Sequence, residues 1–202
     1  MNHYFSEEQT APSKRKIFTY QYKSKSYTFI TDAGVFSVGQ MDGGTDVLLQ
    51  HIPPLSGSLL DMGCGYGAIG IVLAKEYKLT LTQADINPRA VELTRENCEK
   101  NGVPSNIILS DQFSQILGKF DAIVLNPPIH AGKQVIYSLY EDAFSRLNES
   151  GKLYIVIRKK HGAESTITKL TQIFGNTNVL HKKKGVFVLC CEKMSSFSSV
   201  SS

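Results

Sequence analysis

The stretch SLLDMGCGYGAIGIVLAKEYKLTLTQAD, residues 58–85, decides the fold. Its first six residues form a short apolar run that predicts a buried strand. The glycines that follow lead into residues 67–77, whose apolar positions recur at helical spacing. In residues 78–85, Leu alternates with Thr, and this alternation of apolar and polar residues predicts a second strand. A strand, a helix and a second strand in this order form the unit from which parallel sheets are built.

The same alternation continues to the end of the chain. The pattern predicts helices over 87–102, 133–147 and 164–174, strands over 106–111, 120–126 and 151–158, and an antiparallel hairpin over 177–192. Upstream, residues 46–51 predict a short helix, and residues 18–36 alternate on both sides of Lys23–Ser26 as in a β-hairpin. We therefore expect an α/β fold: a Rossmann-like, doubly wound, mostly parallel seven-stranded sheet with a C-terminal antiparallel hairpin and an N-terminal β-hairpin extension.

Length and composition are those of one globular domain. The chain has 202 residues, 42% of them hydrophobic and 20% charged. It contains no apolar run of the ~18 residues that a membrane helix needs, and its polar, acidic start does not resemble a secretory signal. We expect a cytoplasmic protein without a membrane partner. We divide it into a basic segment and hairpin (1–36, loosely ordered over 1–16), a main domain (37–194) and a disordered tail (195–202).

The four cysteines give no sign of a metal site. Cys64, Cys98, Cys190 and Cys191 show neither the C-x-x-C spacing nor the nearby histidine pair of a zinc site. Free cysteine packs as a small apolar group. We therefore predict buried free thiols and no metal.

The net charge of +4 is unevenly distributed along the chain. Residues 1–30 carry +3, residues 31–150 carry −6 and residues 151–202 carry +7. Basic segments from both ends of the chain could meet on one face and attract a polyanion such as RNA. The alternative is an ordinary solvated surface. The basic residues cluster at Lys14–Lys16, Arg158–Lys160 and His181–Lys184.

Acidic residues stand at the carboxyl ends of three predicted strands, where doubly wound folds bind their ligands. They are Asp61, Asp85 and Asp111. Between the first two acids, the glycines at 63 and 65 allow the backbone to approach a ligand closely. Residues 65–70 also match G-x-G-x-x-G, so a dinucleotide enzyme is a competing interpretation.

Asp61 weakens that alternative, because a carboxylate there would repel a pyrophosphate but would suit an ammonium group. Asp85 can accept hydrogen bonds from two ribose hydroxyls, and Asp111 could accept one from an adenine amino group. Together with the glycine loop, the three acids indicate a positively charged adenosine derivative, which is S-adenosylmethionine.

The tripeptide Asn126-Pro127-Pro128 follows the fourth predicted strand. Two prolines make the backbone rigid and remove two N–H donors. The Asn126 side-chain oxygen and the Pro127 carbonyl then form a fixed pair of acceptors, which suits a planar amino group. Such an arrangement would hold an exocyclic amine in line with a methyl donor through positioning and electrostatics. The alternative is a turn that only ends the strand.

With these motifs the chain resembles class I S-adenosylmethionine-dependent methyltransferases that methylate amines. More narrowly, it is similar to small bacterial relatives of the ribosomal small-subunit RNA guanine-N2 methyltransferase C family. The resemblance runs from about Val35 to Glu192. The stretches that carry it are GVFSVGQMDGGTDVLL (34–49), LLDMGCGYGAIG (59–70), ADINPRAVELTREN (84–97), SD (110–111) and NPPIHAGK (126–133).

The resemblance implies roles for particular residues. Asn126, Pro127 and Pro128 would form the catalytic motif, and Ile129, His130 and Lys133 would contact the substrate. The residues implied to bind the methyl donor are Asp61, Gly63, Gly65, Asp85, Ile86, Asp111, Phe36, Asp42 and Thr45. The chain departs from the usual motif at Ile129, where such enzymes carry an aromatic residue that can stack on a flipped base. His130 is a candidate replacement for that ring.

The resemblance implies a methyltransferase acting on guanine N2 of 16S ribosomal RNA, with RNA as the partner. A protein glutamine, adenine N6 or a small-molecule amine remain alternative acceptors, since each presents a planar or accessible amino group. A binding module that has kept the fold without the activity is a further alternative.

Overall fold

The computed structural model describes residues 12–195. Its strands are β1 (Lys16–Tyr22), β2 (Lys25–Thr31), β3 (Ser58–Met62), β4 (Thr80–Asp85), β5 (Ser105–Leu109), β6 (Phe120–Leu125), β7 (Leu147–Arg158), β8 (Asn178–Lys183) and β9 (Val186–Glu192). Its α-helices are α1 (Gly43–His51), α2 (Ala68–Tyr77), α3 (Pro88–Asn101), α4 (Lys133–Arg146) and α5 (Ala163–Phe174). Short 3₁₀ turns occupy Ile129–Ala131 and Lys159–His161.

Seven strands form one sheet in the order β5-β4-β3-β6-β7-β9-β8. Strands β3 to β7 pair in parallel, and β9 runs antiparallel to both β7 and β8. The strand order reverses between β3 and β6, which is the switch point where such sheets open a crevice for a ligand. The predicted α/β fold, with its antiparallel C-terminal hairpin and separate N-terminal hairpin, is confirmed.

A hydrophobic layer covers each face of the sheet. One layer includes Leu59, Val72 and Leu93 and joins the sheet to α1, α2 and α3. The other includes Leu60, Tyr140 and Leu170 and joins it to α4 and α5. Successive residues of β3 enter opposite layers, as the two-residue period of a strand requires. The central strands are therefore buried on both sides.

The N-terminal hairpin packs on the first of these layers. Phe29 lies in the same buried cluster as Tyr66 and α2, with the Phe29 and Tyr66 ring centroids 5.6 Å apart. The side-chain amides of Asn97 and Asn101 on α3 also bind the outer edge of β2, each accepting from a backbone N–H and donating to a carbonyl. The hairpin is thus attached to the main domain through both its face and its edge.

Several element boundaries differ from the predicted ones. Helix α4 ends at Arg146, and β7 begins at Leu147 rather than at 151, because Leu147 pairs with Phe120 before the register shifts. Helix α1 begins at Gly43 rather than 46, since the Asp42 side chain caps it. Strand β2 ends at Thr31, so residues 32–36 belong to a loop. The predictions for residues 1–11 and 196–202 lie outside the described residues.

All four cysteines are free and buried, as predicted. Within residues 12–195, no group of three or more potential metal ligands comes together. In the same range, no helix is both long enough and apolar enough to cross a membrane.

Candidate active site

A cavity of about 570 Å³ opens at the carboxyl ends of the parallel strands, at the switch point. It brings together most of the residues that the sequence analysis selected. Asp61 and Lys133 do not line it: Asp61 is buried beneath it, and Lys133 is exposed at the start of α4. The selected residues that line the cavity are Phe36, Asp42, Thr45, Gly63, Gly65, Asp85, Ile86, Asp111, Asn126, Pro127, Pro128, Ile129 and His130.

The glycine loop presents bare backbone to this cavity. Gly63 and Gly65 have φ values of 71° and 58°, the left-handed region that glycine adopts without strain. A Cβ atom built on either residue would meet no atom within 4 Å, so both α-carbons face open space. The backbone N–H groups of Gly63 and Cys64 donate to the Ala84 carbonyl at 2.8 and 3.0 Å. These bonds fix the loop against β4 and leave room for a ligand to contact it.

Asp85 connects the loop to the end of β4. One carboxylate oxygen accepts from the Gly65 backbone N–H at 2.8 Å, and the other accepts from the Asn87 N–H at 2.9 Å. The carboxylate is therefore held in one orientation at the cavity wall. Each carboxylate oxygen can accept more than one hydrogen bond, so this orientation is compatible with binding a diol.

Asp61 lies beneath the glycine loop, where it is 1% exposed. Its Oδ2 accepts from the Gly70 N–H at 2.8 Å and from the Gln83 amide at 3.3 Å, whereas no hydrogen bond of the described residues reaches its buried Oδ1. Burial raises the pKa of Asp61 to about 7, and the nearby charge of Asp85 adds to this effect. Asp61 is thus placed to support the loop, not to contact a ligand directly.

Two residues at the start of α1, Asp42 and Thr45, support Asn126 of the proposed amine-binding motif, Asn126-Pro127-Pro128. The Asp42 side chain accepts from the Thr45 backbone N–H at 2.9 Å and so caps α1. The Asn126 amide donates from Nδ2 to Thr45 Oγ1 at 3.4 Å. This contact directs Asn126 Oδ1 away from Thr45. Among the described residues, neither that oxygen nor the Pro127 carbonyl takes part in a hydrogen bond, so both remain available as acceptors.

Two basic side chains that line the cavity were not selected as site residues from the sequence: Arg158 and His161. Arg158 is the last residue of β7 and His161 lies in the turn after it, so the rule that ligands meet strand ends would have identified them. Desolvation lowers the pKa of His161, and the positive charges of Lys160 and Arg158 lower it further. The apolar part of the lining, such as Ile69 and Leu139, could not be separated from ordinary core residues by any sequence signal.

Comparison with known proteins decides which family has this arrangement. The model of the family described as "Methyltransferase small domain" matches residues 26–190, which is more than three quarters of the chain. The chain belongs to the methyltransferase small domain family. The predicted resemblance is thereby confirmed, and the protein is an S-adenosylmethionine-dependent methyltransferase. The competing interpretation as a dinucleotide enzyme is not supported.

Relatives within the family differ in length. The uncharacterized Bacillus subtilis protein YbxB is 41% identical over 198 residues, covering 95% of this chain and 98% of its own length. The ribosomal RNA small subunit methyltransferase C of Aeromonas hydrophila is 42% identical over 134 residues, covering 64% of this chain but 39% of its own length. This chain therefore matches YbxB almost from end to end, but it spans about half the length of the named ribosomal RNA methyltransferases.

Among solved structures, the Thermus thermophilus 16S rRNA N2 G1207 methyltransferase in complex with AdoMet and guanosine aligns with a TM-score of 0.79. The two sequences are 26% identical, and the alignment covers 90% of this chain and 51% of that one. A methyltransferase from Pyrococcus furiosus aligns with a TM-score of 0.66 at 21% identity, which shows the shared fold.

Proposed function

We propose that this protein is a cytoplasmic enzyme that transfers a methyl group from S-adenosylmethionine to guanine N2 of 16S ribosomal RNA. The observation that carries the proposal is the position of Asn126-Pro127-Pro128 at the carboxyl end of β6, in the same cavity as the glycine loop. Asn126 and Pro127 line the cavity of about 570 Å³, and no residue of the described structure donates a hydrogen bond to Asn126 Oδ1 or to the Pro127 carbonyl.

The cavity residues fit the proposed donor. S-adenosylmethionine supplies a methyl group on a positively charged sulfur. The bare backbone at Gly63 and Gly65 leaves room for a close ligand, and Asp85 is oriented to accept from ribose hydroxyls. Three carboxylates, Asp42, Asp85 and Asp111, line the cavity and favour a ligand with positive charge.

The residues on the other side of the cavity would hold the acceptor. Asn126 Oδ1 and the Pro127 carbonyl would each accept one N–H of the exocyclic amine. This pairing favours a pyramidal nitrogen whose lone pair is exposed, because both hydrogens are drawn toward the protein. Rigid placement by two prolines lowers the entropic cost of this orientation. The proton can leave after methyl transfer, so the motif needs no strong base beside it.

Recognition of guanine is supported by similarity to a protein that acts on this base. The Thermus thermophilus 16S rRNA N2 G1207 methyltransferase was solved with guanosine bound. In the present chain, Ile129 and His130 line the cavity beside Pro128 and would contact the base. A base within an RNA helix must be flipped out or already unpaired to reach such a cavity.

The test is methyl transfer from labelled S-adenosylmethionine to bacterial ribosomal RNA, offered both as naked RNA and as small subunits. Nucleoside mass spectrometry then identifies the product. We expect N2-methylguanosine in at least one substrate. Label in N6-methyladenosine would show that the base is adenine and not guanine. Label in protein, with none in nuclease-sensitive RNA, would show that the substrate is a protein and not RNA.

A further inference from the structure

The carboxyl end of β7 and the β8–β9 turn meet at the same edge of the sheet as the cavity. The Lys159 backbone N–H donates to the Gly185 carbonyl at 2.7 Å. Residues 184 and 185 both have positive φ, 49° and 75°, as in the two-residue turns that connect hairpin strands tightly. Two of the three basic clusters of the sequence are thereby fixed side by side. We call their cations the basic edge: Arg158, Lys159, Lys160, Lys183 and Lys184.

The third cluster does not join them. Arg15 forms two short hydrogen bonds with the Glu96 carboxylate on α3, at 2.8 and 2.9 Å. The Lys14 backbone N–H donates to Asp32, at the end of the N-terminal hairpin. The segment around these residues is thus attached to α3 and the hairpin. The suggestion that all three clusters share one face is therefore wrong for this segment.

Within residues 12–195, the cations of the basic edge lack acidic partners. Elsewhere in the described structure, Arg15, Lys23, Lys25, Lys152 and Lys169 each pair with a carboxylate. No ion pair of the described residues involves the basic edge, and all five of its side chains are exposed. Five like charges on neighbouring turns repel one another, so this surface favours an anionic partner.

The order of the strands places the basic edge close to the amine-binding motif. Asn126 follows β6, and Arg158 is the last residue of the adjacent β7. The turn at Lys184 connects β8 to β9, which are the next two strands beyond β7 in the sheet. With strands about 4.8 Å apart, the lysines lie within about 10 to 15 Å of the amine-binding motif, along one edge. Arg158 reaches both groups of residues, since it lines the cavity itself.

We infer that the basic edge binds the backbone phosphates of the RNA that flanks the target nucleotide. This inference rests on the proposed function. A nucleotide whose base lies against Asn126 has its neighbouring phosphates outside the cavity mouth, where this row of cations begins. Positive grooves that follow a strand are a general way to hold single-stranded nucleic acid.

The test compares two triple variants with the same change in charge. The first is Lys159→Gln, Lys160→Gln and Lys183→Gln at the basic edge. The matched control is Lys78→Gln, Lys100→Gln and Lys119→Gln. These three lysines are also exposed, but they lie next to the amino ends of β4, β5 and β6, at the opposite edge of the sheet. The probe is unmethylated transcribed small-subunit ribosomal RNA, titrated at several salt concentrations.

We expect the basic-edge variant to bind RNA at least tenfold more weakly at moderate salt. The slope of log K against log salt should fall by about two, since each phosphate contact on a single strand contributes about 0.7. The affinity of the control variant for RNA at moderate salt should stay within about twofold of that of the parent protein. Binding of S-adenosylmethionine, measured by calorimetry, should be unchanged in both variants, which shows that the cavity is intact.

Three results would overturn the inference. If the parent protein methylates RNA but the two variants bind RNA equally well, the basic edge does not bind the RNA, and the proposed function stands. If the parent protein binds the methyl donor but methylates no RNA, the proposed function fails and the inference fails with it. If polyglutamate competes as strongly as RNA, the surface binds acidic polypeptides instead.

Discussion

The side-chain amide of Asn126 donates to the hydroxyl of Thr45 at 3.4 Å, although 81 residues separate the two in sequence. In this arrangement the amide nitrogen faces α1, and the oxygen points away from Thr45. Orientation matters here because an amide rotated by half a turn would present donors, not an acceptor, to a substrate amine. Thr45, which the resemblance placed among the residues that bind the methyl donor, is therefore a positioning residue for Asn126 in our proposal.

Removing the Thr45 hydroxyl should slow turnover without affecting the donor. In Thr45→Val the side chain keeps its shape but no longer accepts from Asn126. We expect kcat to fall by about three- to tenfold, which corresponds to one modest hydrogen bond. The dissociation constant of S-adenosylmethionine should be unchanged by calorimetry. Thr45→Ser retains the hydroxyl and should restore most of the rate, whereas equal losses in both variants would show that the residue acts only through packing.

Removing the Asn126 side chain should have a larger effect on the same step. We expect Asn126→Ala to lower kcat by roughly 10²-fold or more, which is the effect of removing one hydrogen-bonding group that stabilises a transition state. Affinity for the methyl donor should change little. Asn106→Ala, at an exposed asparagine of β5, is the matched control and should behave as the parent protein. Loss of donor binding in Asn126→Ala would instead make this residue part of the donor site.

Asp85→Ala should show the opposite pattern. The variant loses the carboxylate that orients toward the donor and also two backbone partners, Gly65 and Asn87. Hydrogen bonds to charged groups contribute about 1.5 to 3 kcal/mol each. We therefore expect donor affinity to fall by at least tenfold, measured by calorimetry. Asp46→Ala, at a carboxylate outside the cavity, provides the control. Unchanged donor affinity in Asp85→Ala would remove Asp85 from the donor site.

Asp61 should make the stability of the donor-free protein depend on pH. Its pKa is raised from 3.8 to about 7 by burial, so the folded state favours the protonated carboxyl. The free energy of unfolding contributed by this group is fully present below the ordinary pKa and is lost as pH rises through about 7. We expect the parent protein to lose more stability than Asp61→Asn between about pH 5 and about pH 8.

Urea unfolding of both proteins at the two pH values measures this difference. Subtracting the Asp61→Asn change from the parent change removes the contribution of the titrating groups that do not interact with Asp61. An identical loss of stability in the two proteins would show that Asp61 is already ionised at the lower pH in the fold. The variant should also bind the methyl donor, because Asp61 does not line the cavity.

The order of elements could be predicted because strong periodicity separates strands from helices. The spatial position of individual residues was harder to predict. Asp61 was expected at the ligand surface from its place near a strand end, but it lies one residue before the last residue of β3 and is enclosed under the loop. Residue 147 was predicted to end a helix, and residues 148–150 were left between that helix and the strand predicted over 151–158. They continue β7 because Leu147 pairs with Phe120, a contact that only the assembled sheet provides.

The site was predicted where rules of the fold apply and missed where they were not used fully. Gly63, Gly65 and Asp85 follow from the glycine loop and from the end of β4. Arg158 obeys the same strand-end rule but was considered only as part of a basic cluster, and His161, in the turn after β7, was not considered at all. The meeting of two basic clusters could not be predicted from spacing alone, since it depends on β9 pairing with β7 in antiparallel register.

The amides of Asn97 and Asn101 have a consequence for association between molecules. A two-stranded hairpin normally leaves open edges that can recruit a strand from another chain and start aggregation. Here the backbone of β2 at Thr28 and Ile30 is already satisfied by these two side chains, which imitate a neighbouring strand. Helix α3 therefore blocks that edge of the hairpin as a template for β-sheet assembly.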